Sequence, residues 1–128
     1  MTLAEDTYAK LQATPAITAI FSTRTYPMRL PESCSYPALA FQVITTLPEH
    51  THDGLVNPLE RMVQMTVYDT DYKRCAAAGE AIIAALVGRS TWNTRSTTCR
   101  LAGGGEDMDP EPRGLYRYRV DLFVRVTA

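Results

Sequence analysis

Long apolar runs are missing from this chain of 128 residues: no stretch reaches the roughly 18–20 residues that a membrane-spanning helix needs. The N-terminus, MTLAEDTYAK, also lacks the basic start and the apolar core of a signal peptide. We therefore expect a protein that is made in a reducing cytoplasm and that has no contact with a membrane.

Cysteine and excess charge are scarce as well. The three cysteines, Cys34, Cys75 and Cys99, are far apart and form no CxxC pair, which argues against a disulfide framework or a structural zinc site and favours small buried side chains. Thirteen basic residues stand against fourteen acidic ones, giving a net charge of −1. A broad basic surface for nucleic acid is not expected, because neutralising phosphates takes clustered Lys and Arg.

Known catalytic motifs are absent too. The sequence has no GxSxG and no HExxH, and the glycines at 103–105 are not followed by the Lys-Ser/Thr pair of a phosphate loop. His50, His52 and Asp53, in the segment PEHTHDG, could supply metal ligands, but such a site would need further ligands from elsewhere. A solvated loop is the simpler interpretation of this segment.

Four carboxylates, those of Glu106, Asp107, Asp109 and Glu111, occur within six residues. Such a run could bind a hard cation or supply an acid and a base for glycoside hydrolysis. Either role needs a rigid cleft, whereas glycine and proline flank this segment and predict a loop. We therefore expect a solvated acidic loop in a protein that is not an enzyme and that has no cofactor and no metal.

Amphipathic helices and strands are what the sequence does contain. A short N-terminal helix is predicted from a Thr2 cap to Thr14-Pro15, and a second helical turn over residues 15–21. A helix over residues 72–87 is the most regular: Asp71 caps it, and the side chains at positions 75, 79, 82, 83 and 86 share one face. Gly79 in its middle costs the helix about 1 kcal/mol, unless a neighbouring strand approaches closely at that point.

The strands are predicted from alternation and from their flanking prolines. The last one, over residues 115–126, alternates almost without exception, and its even positions are predicted to be buried. Four others are predicted over residues 23–30 (an edge strand), 37–44, 59–69 and 96–101. Together these elements indicate a single α+β domain over residues 1–128, with a mostly antiparallel sheet packed on one face by the long helix.

Strand length points to assembly. A compact domain of this size is roughly 35 Å across, whereas twelve extended residues span about 40 Å. Such strands must bend or project, and a projecting strand offers backbone groups that a neighbouring subunit can pair with. The outward positions of the two longest strands are therefore candidate subunit contacts: Met62, Tyr68, Leu115, Arg117, Arg119, Phe123 and Arg125. Scattered surface residues are the alternative interpretation.

The order of several segments resembles a known family. They are LxxTPAITAIF, the proline spacing Tyr26-Pro27…Pro31…Pro37-Ala38, the strand-to-helix junction Val67-Tyr68-Asp69…Tyr72, and Gly114-Leu115-Tyr116 before Asp121-Leu122. From about residue 3 to residue 126, the chain resembles the tail completion proteins (tail terminator or tail-to-head joining proteins) of long-tailed bacteriophages, prophages and gene transfer agents.

This resemblance implies a structural virion protein at the junction of tail and head. Six copies would form a ring that caps the tail tube, ends its polymerisation and meets the neck. The implied partners are further copies of the chain, the major tail tube protein and a head-closure protein, with DNA passing through the ring without specific binding. We expect the two polar loops to face the lumen or these partners: Glu49, His50, His52, Asp53, Glu106, Asp107, Asp109 and Glu111.

Two other functions remain open from the residues alone. The first is a small ferredoxin-like domain that binds a ligand or regulates another protein, with a pocket between the helix at 72–87 and the sheet. The second is an enzyme centred on His50, His52 and Asp53.

Overall fold

The structure, a computed structural model, describes residues 3–31, 35–44, 50–51, 54–55, 60–93, 95–108 and 115–127. Its helices are α1 (Leu3–Ala13), α2 (Pro15–Phe21) and α3 (Tyr72–Leu86). Its strands are β1 (Thr25–Pro27), β2 (Ala38–Ile44), β3 (His50–Thr51), β4 (Gly54–Leu55), β5 (Glu60–Asp69), β6 (Gly88–Trp92), β7 (Arg95–Met108) and β8 (Tyr116–Thr127). None of the described helices has the length and apolar character needed to cross a bilayer.

Six of the strands form one sheet in the order β1-β2-β5-β8-β7-β6, and β3 pairs with β4 separately. All neighbours in the large sheet are antiparallel except β1 and β2, which are parallel. The predicted α+β class and the mostly antiparallel sheet are therefore confirmed. The short proline-flanked strand does lie at an edge, as the prolines predicted.

Helix α3 begins as its sequence predicted. The Asp71 side chain caps it by accepting hydrogen bonds from the backbone N–H groups of Lys73 and Arg74, which have no partner within the helix. Just before it, Asp69 is fully buried at the end of β5 and binds the Arg74 guanidinium through two hydrogen bonds of 2.6 Å. The backbone N–H groups of Thr70 and Asp71 also donate to Asp69. This set of bonds fixes the turn between β5 and α3.

The core lies between α3 and the sheet. Cys75, Gly79, Ile82 and Leu86 are buried on the predicted face of the helix, Ala78 joins them, and Ile83 is only partly buried. The ring of Tyr118 on β8 lies so close to Gly79 that a Cβ atom there would overlap it. Gly79 thus marks the close approach of a strand, the circumstance that offsets the cost of glycine in a helix.

Strand β8 shows the predicted alternation in its second half, where Val120, Leu122 and Val124 are fully buried. One position differs from prediction. Leu115, expected on the outward face, is only 3% exposed. It precedes the first paired residue of β8, Tyr116, so the alternation of the strand does not yet apply to it.

Strand β7 is much longer than the predicted strand over residues 96–101. It pairs with β8 as far as Met108, so Glu106 and Asp107 lie on a strand and not in the predicted acidic loop. A β-bulge at Ala102 shifts the register between Leu101 and Gly103. Gly104 has a φ of +139°, and its missing Cβ lets the carbonyl of Arg119 approach. The glycines predicted a turn, whereas here they allow a bent strand.

Strand β6 was missed entirely. Its residues follow α3 directly and pair with the start of β7, and Trp92 at its end is fully buried. The segment has one strong apolar residue among five, so the alternation that identifies a strand is too weak to see.

We expect Asp69→Asn to change the acid stability of the protein. Burial alone would raise the pKa of Asp69, but hydrogen bonds from Arg74 and from two backbone N–H groups outweigh burial and hold that pKa below its usual value. The stabilisation is therefore present above about pH 4 and is lost as pH falls. The substitution should cost about 1–2 kcal/mol at pH 7 and flatten the decline of unfolding free energy below pH 5.

Urea denaturation at a series of pH values measures this. Asp71→Asn is the matched control, since asparagine caps a helix nearly as well as aspartate. That variant should keep the steep decline of the unmodified protein. An Asp69→Asn curve parallel to that of the unmodified protein at every pH would contradict the assignment.

The contact between Gly79 and Tyr118 predicts that Gly79→Ala changes the stability in opposite directions with and without the Tyr118 ring. Gly79→Ala should destabilise the fold, because overlap with the ring outweighs the roughly 1 kcal/mol that alanine contributes to a helix. In a Tyr118→Ala background the same substitution should instead stabilise by about 1 kcal/mol. Thermal denaturation of the four proteins in this cycle tests the contact, and a destabilising effect in both backgrounds would refute it.

Candidate functional site

The sheet has two unlike faces. Its inner face packs against α3, where the Cys75 thiol reaches the backbone carbonyls of Val67 and Tyr116 at 3.6 and 3.5 Å. The outer face is formed by the alternate residues of β2, β5, β8 and β7, and in the described part of the chain no helix packs against it. In the described part of the chain, the outer face is therefore a regular surface that is open to a partner.

The predicted contact residues share this outer face, with the exception of Leu115. Register brings them together in rows across the strands: Met62 lies beside Phe123, and Tyr68 beside Arg117. Arg119 and Arg125 continue the same face of β8, and both are exposed.

Phe123 is half-buried because the guanidinium of Arg100, on β7, lies over its ring at 4.5 Å. Met62, which lies opposite Phe123 on the neighbouring strand β5, is also half-buried. An aromatic ring, a methionine and an arginine thus form one compact patch. These three residue types are enriched in protein interfaces.

A concavity of about 440 Å³ occupies the other half of the outer face. Its walls are mainly polar, and glycines of β7 form part of its floor. The lining includes Met28, Gln42, Gln64, Thr66, Tyr68, Gly104, Gly105, Glu106, Arg117 and Arg119. Arg119 forms an ion pair of 3.4 Å with Asp121, and its side chain is 53% exposed. This concavity is therefore lined mainly by hydrogen-bonding groups and is not an apolar pocket.

Glu106 borders this hollow and is bonded to the start of α3. Its carboxylate accepts a hydrogen bond from the hydroxyl of Tyr72, and Tyr72 contacts the ring of Tyr116 edge-on at 5.6 Å. The bond to Glu106 raises the pKa of Tyr72. Asp107 lies opposite Arg117 in the register, and Asp109 and Glu111 lie outside the described residues.

The histidine segment is only partly described. His50 pairs with Leu55 in the small β3–β4 sheet, while Glu49, His52 and Asp53 lie outside the described residues. The described residues include no group of three or more His, Cys, Asp or Glu side chains that could hold a metal ion.

Cys75 and Cys99 are free and buried, as predicted for small apolar side chains. Burial raises the pKa of each thiol to about 11, so both are protonated and poor nucleophiles at neutral pH. Cys34 lies outside the described residues.

Sequence reasoning missed one feature of the site, the full length of β7. Because the glycines at 103–105 suggested a turn, residues 102–108 were not expected to form a strand at all. The pairing partners of β7 show that the strand continues and that β6 covers only its first residues. The three glycines and the bulge at Ala102 break the alternation of apolar and polar residues, so the sequence carries no clear strand signal beyond residue 101.

Comparison with known proteins gives a family and a fold. The profile of the family described as tail completion protein gp17 matches residues 5–127. A solved chain from a structure described as "Virion of native gene transfer agent (GTA) particle" is similar to this fold with a TM-score of 0.71 and 15% sequence identity, covering 98% of this chain and 95% of that one. The curated proteins include no match.

The family profile extends over nearly the whole chain, and the fold likeness covers both chains almost completely. The resemblance noted in the proline spacing and in the junction at Asp69 is therefore confirmed. The chain belongs to the family of tail completion protein gp17 and is a structural protein of a phage-type virion tail.

Proposed function

We propose that this tail protein works as a ring of six identical copies that caps the tail tube, ends its polymerisation and joins the tail to the head. The observation that carries the proposal is the outer face of the sheet, which has no helix packed against it among the described residues and which presents the patch of Met62, Phe123 and Arg100. A protein that works as a monomer has little reason to leave such a face open.

The chemistry of this face suits contact with another subunit. Apolar and aromatic groups at one end of this face would exclude water from a subunit contact. The charged side chains beside them would fix the relative orientation of the two subunits. Arg117, Arg119 and Arg125 alternate along β8, and arginine is suited to binding carboxylates through two parallel hydrogen bonds. Tyr68 adds a further aromatic ring to this row. These residues are our proposed subunit contacts, together with Met62 and Phe123.

The remaining partners follow from the proposed position of the ring. One side would meet the major tail tube protein and the other a head-closure protein, and DNA would cross the lumen. The acidic segment and the histidine segment would face the lumen or these partners: Glu49, His50, His52, Asp53, Glu106, Asp107, Asp109 and Glu111. A net charge of −1 suits a passage through which DNA must move without adhering.

We propose that this role involves no catalysis. The buried thiols of Cys75 and Cys99 are protonated at neutral pH and are therefore poor nucleophiles. A ligand pocket between α3 and the sheet, the alternative left open by the sequence, is also disfavoured, because Tyr118 packs directly on Gly79 in that layer. The concavity lined by Arg117 and Arg119 lies on the opposite face.

Phe123→Asp should prevent assembly while leaving the monomer folded. The new carboxylate would lie near Arg100, so we expect at most about 1 kcal/mol of lost stability, whereas burial in a subunit contact would leave it desolvated. Light scattering should give about six times 14.2 kDa for unmodified rings, formed alone or on tail tubes, and 14.2 kDa for the variant.

Ala77→Asp, on the exposed side of α3, is the control and should assemble normally. If the unmodified protein forms no ring, either alone or on purified tail tubes, the proposed function is wrong. If instead Phe123→Asp loses several kcal/mol of stability, the residue belongs to the core and not to a contact.

Neutralising the acidic segment tests its place in the lumen. Replacing Glu106, Asp107, Asp109 and Glu111 by Gln and Asn should leave ring formation intact and slow the delivery of DNA, because passing phosphates would lose the repulsion that keeps them moving. Particle counts by microscopy and infectious or transducing titre are the two measurements. An unchanged titre per particle would place the segment on the ring exterior.

A further inference from the structure

The concavity on the outer face lies between Met28 on one side and the glycines of β7 on the other. Residues of three neighbouring strands, β2, β5 and β8, form its floor. Since neighbouring strands are about 4.8 Å apart, the distance from β2 to β7 is roughly 15 Å. A space of this width and of about 440 Å³ admits a small ligand or a single peptide segment, but no folded domain.

Four neutral polar side chains in this concavity are not used by the fold. Gln64, Thr66 and Tyr68 alternate along β5 and are half-buried, and Gln42 lies beside Gln64 on β2. Within the part of the chain that the structure describes, none of these four side chains forms a hydrogen bond. Their donors and acceptors are therefore available to a molecule that covers this part of the sheet.

The spacing of these side chains matches an extended peptide. Alternate residues along β5 are about 6.8 Å apart, and so are alternate residues of any extended chain. The amides of Gln42 and Gln64 each carry both donors and an acceptor, as the groups of a peptide backbone do. A chain lying along β5 would therefore meet a hydrogen-bonding side chain at every second residue.

The charged residues favour a segment that carries a carboxylate. Arg117 and Arg119 line the concavity together with one acid, Glu106. The carboxylate of Glu106 already accepts the hydrogen bond from Tyr72. Arg119 pairs with Asp121 through Nε, and its side chain is 53% exposed, so its terminal N–H groups can bind a further carboxylate.

Met28 forms an apolar wall of the same concavity. It is 66% exposed, and its N–H donates to the carbonyl of Phe41 at 2.8 Å. Its φ of 71° is unusual for a residue other than glycine, and strained backbone of this kind occurs often at ligand sites. The bound segment would therefore also carry an apolar side chain that covers Met28.

We propose that the concavity binds an extended segment of another virion protein, with a carboxylate for Arg119 and an apolar side chain for Met28. A second copy of the chain fits less well, because each of its described strands is already paired in its own sheets. DNA also fits less well, because two arginines beside an acid neutralise few phosphates. The inference rests on the proposed joining of tail to head and names how the adjoining protein is held.

Overlapping synthetic peptides test this proposal. Peptides of about twelve residues, roughly 40 Å long when extended, would cover the other tail and neck proteins of the same particle and this chain as well. Fluorescence anisotropy with the full-length protein measures binding at peptide concentrations up to about 1 mM. We expect a peptide of another protein to bind, and replacing its Asp and Glu residues by Asn and Gln should weaken binding about tenfold.

Three substitutions in the concavity should weaken the binding of that peptide. Gln64→Leu and Thr66→Val remove hydrogen-bonding groups at similar shape, and each should weaken binding about fivefold. Met28→Gly removes the apolar wall and should weaken binding about tenfold, while glycine adopts a φ of 71° readily and keeps the fold. Thr91→Val, on an exposed residue of β6 outside the concavity, is the matched control and should bind as the unmodified protein does. Circular dichroism checks that each variant is folded.

Light scattering on the same variants separates this inference from the ring. None of the substituted residues belongs to the proposed subunit contacts, so each variant should assemble as the unmodified protein does. The proposed site is wrong if no peptide binds, if only peptides of this chain bind, or if the concavity variants bind as tightly as the control. Rings without peptide binding would overturn the site alone, whereas peptide binding without rings would overturn the ring alone.

Discussion

The packing of the Tyr118 ring on Gly79 is the contact on which the two-layer arrangement depends. It holds α3 directly against β8, the strand that has β5 on one side and β7 on the other. Once the inner face of β8 is committed to the helix, alternation directs Arg119, Phe123 and Arg125 to the opposite face. The same backbone therefore carries the core on one side and the surface proposed for assembly on the other.

A second constraint fixes where α3 starts. Asp69 ends β5 in a fully buried position, and its hydrogen bonds to Arg74 and to the following backbone bring the helix back across the sheet. Arg74 is half-exposed, so the cation keeps part of its hydration while the carboxylate is satisfied by protein groups. A short turn with several bonds to one carboxylate suits a protein whose surfaces must be held in fixed positions.

Much of this fold could be predicted from the sequence wherever apolar residues recur at one regular helical or strand spacing. The cap at Asp71, the buried face of α3 and the alternation of β8 all follow from spacing. The segments that were missed lack such a period: β6 has a single large apolar residue, and β7 contains glycines and a bulge that change its alternation. Leu115 was assigned to the wrong face because strand pairing begins only at Tyr116.

The candidate surface was predicted in part for the same reason. Positions 62, 68, 117, 119, 123 and 125 follow from alternation, and the structure places them on one face. A free strand edge has no such signal, because it depends on which strand lies beside it and how far that strand extends. The strands expected to offer unpaired backbone, β5 and β8, are paired on both sides, and β1 and β6 are the edge strands of the sheet in the described part of the chain.

The position of the cysteines has a consequence for the life of a particle outside the cell. A virion leaves the reducing cytoplasm in which it was assembled and then remains in an oxidising environment until it meets another cell. Cys75 and Cys99 are enclosed in the core as neutral thiols, and thiolate character and access are what oxidants require. These two thiols therefore oxidise slowly, and the packed core of each copy stays intact without any reaction that would reduce them again.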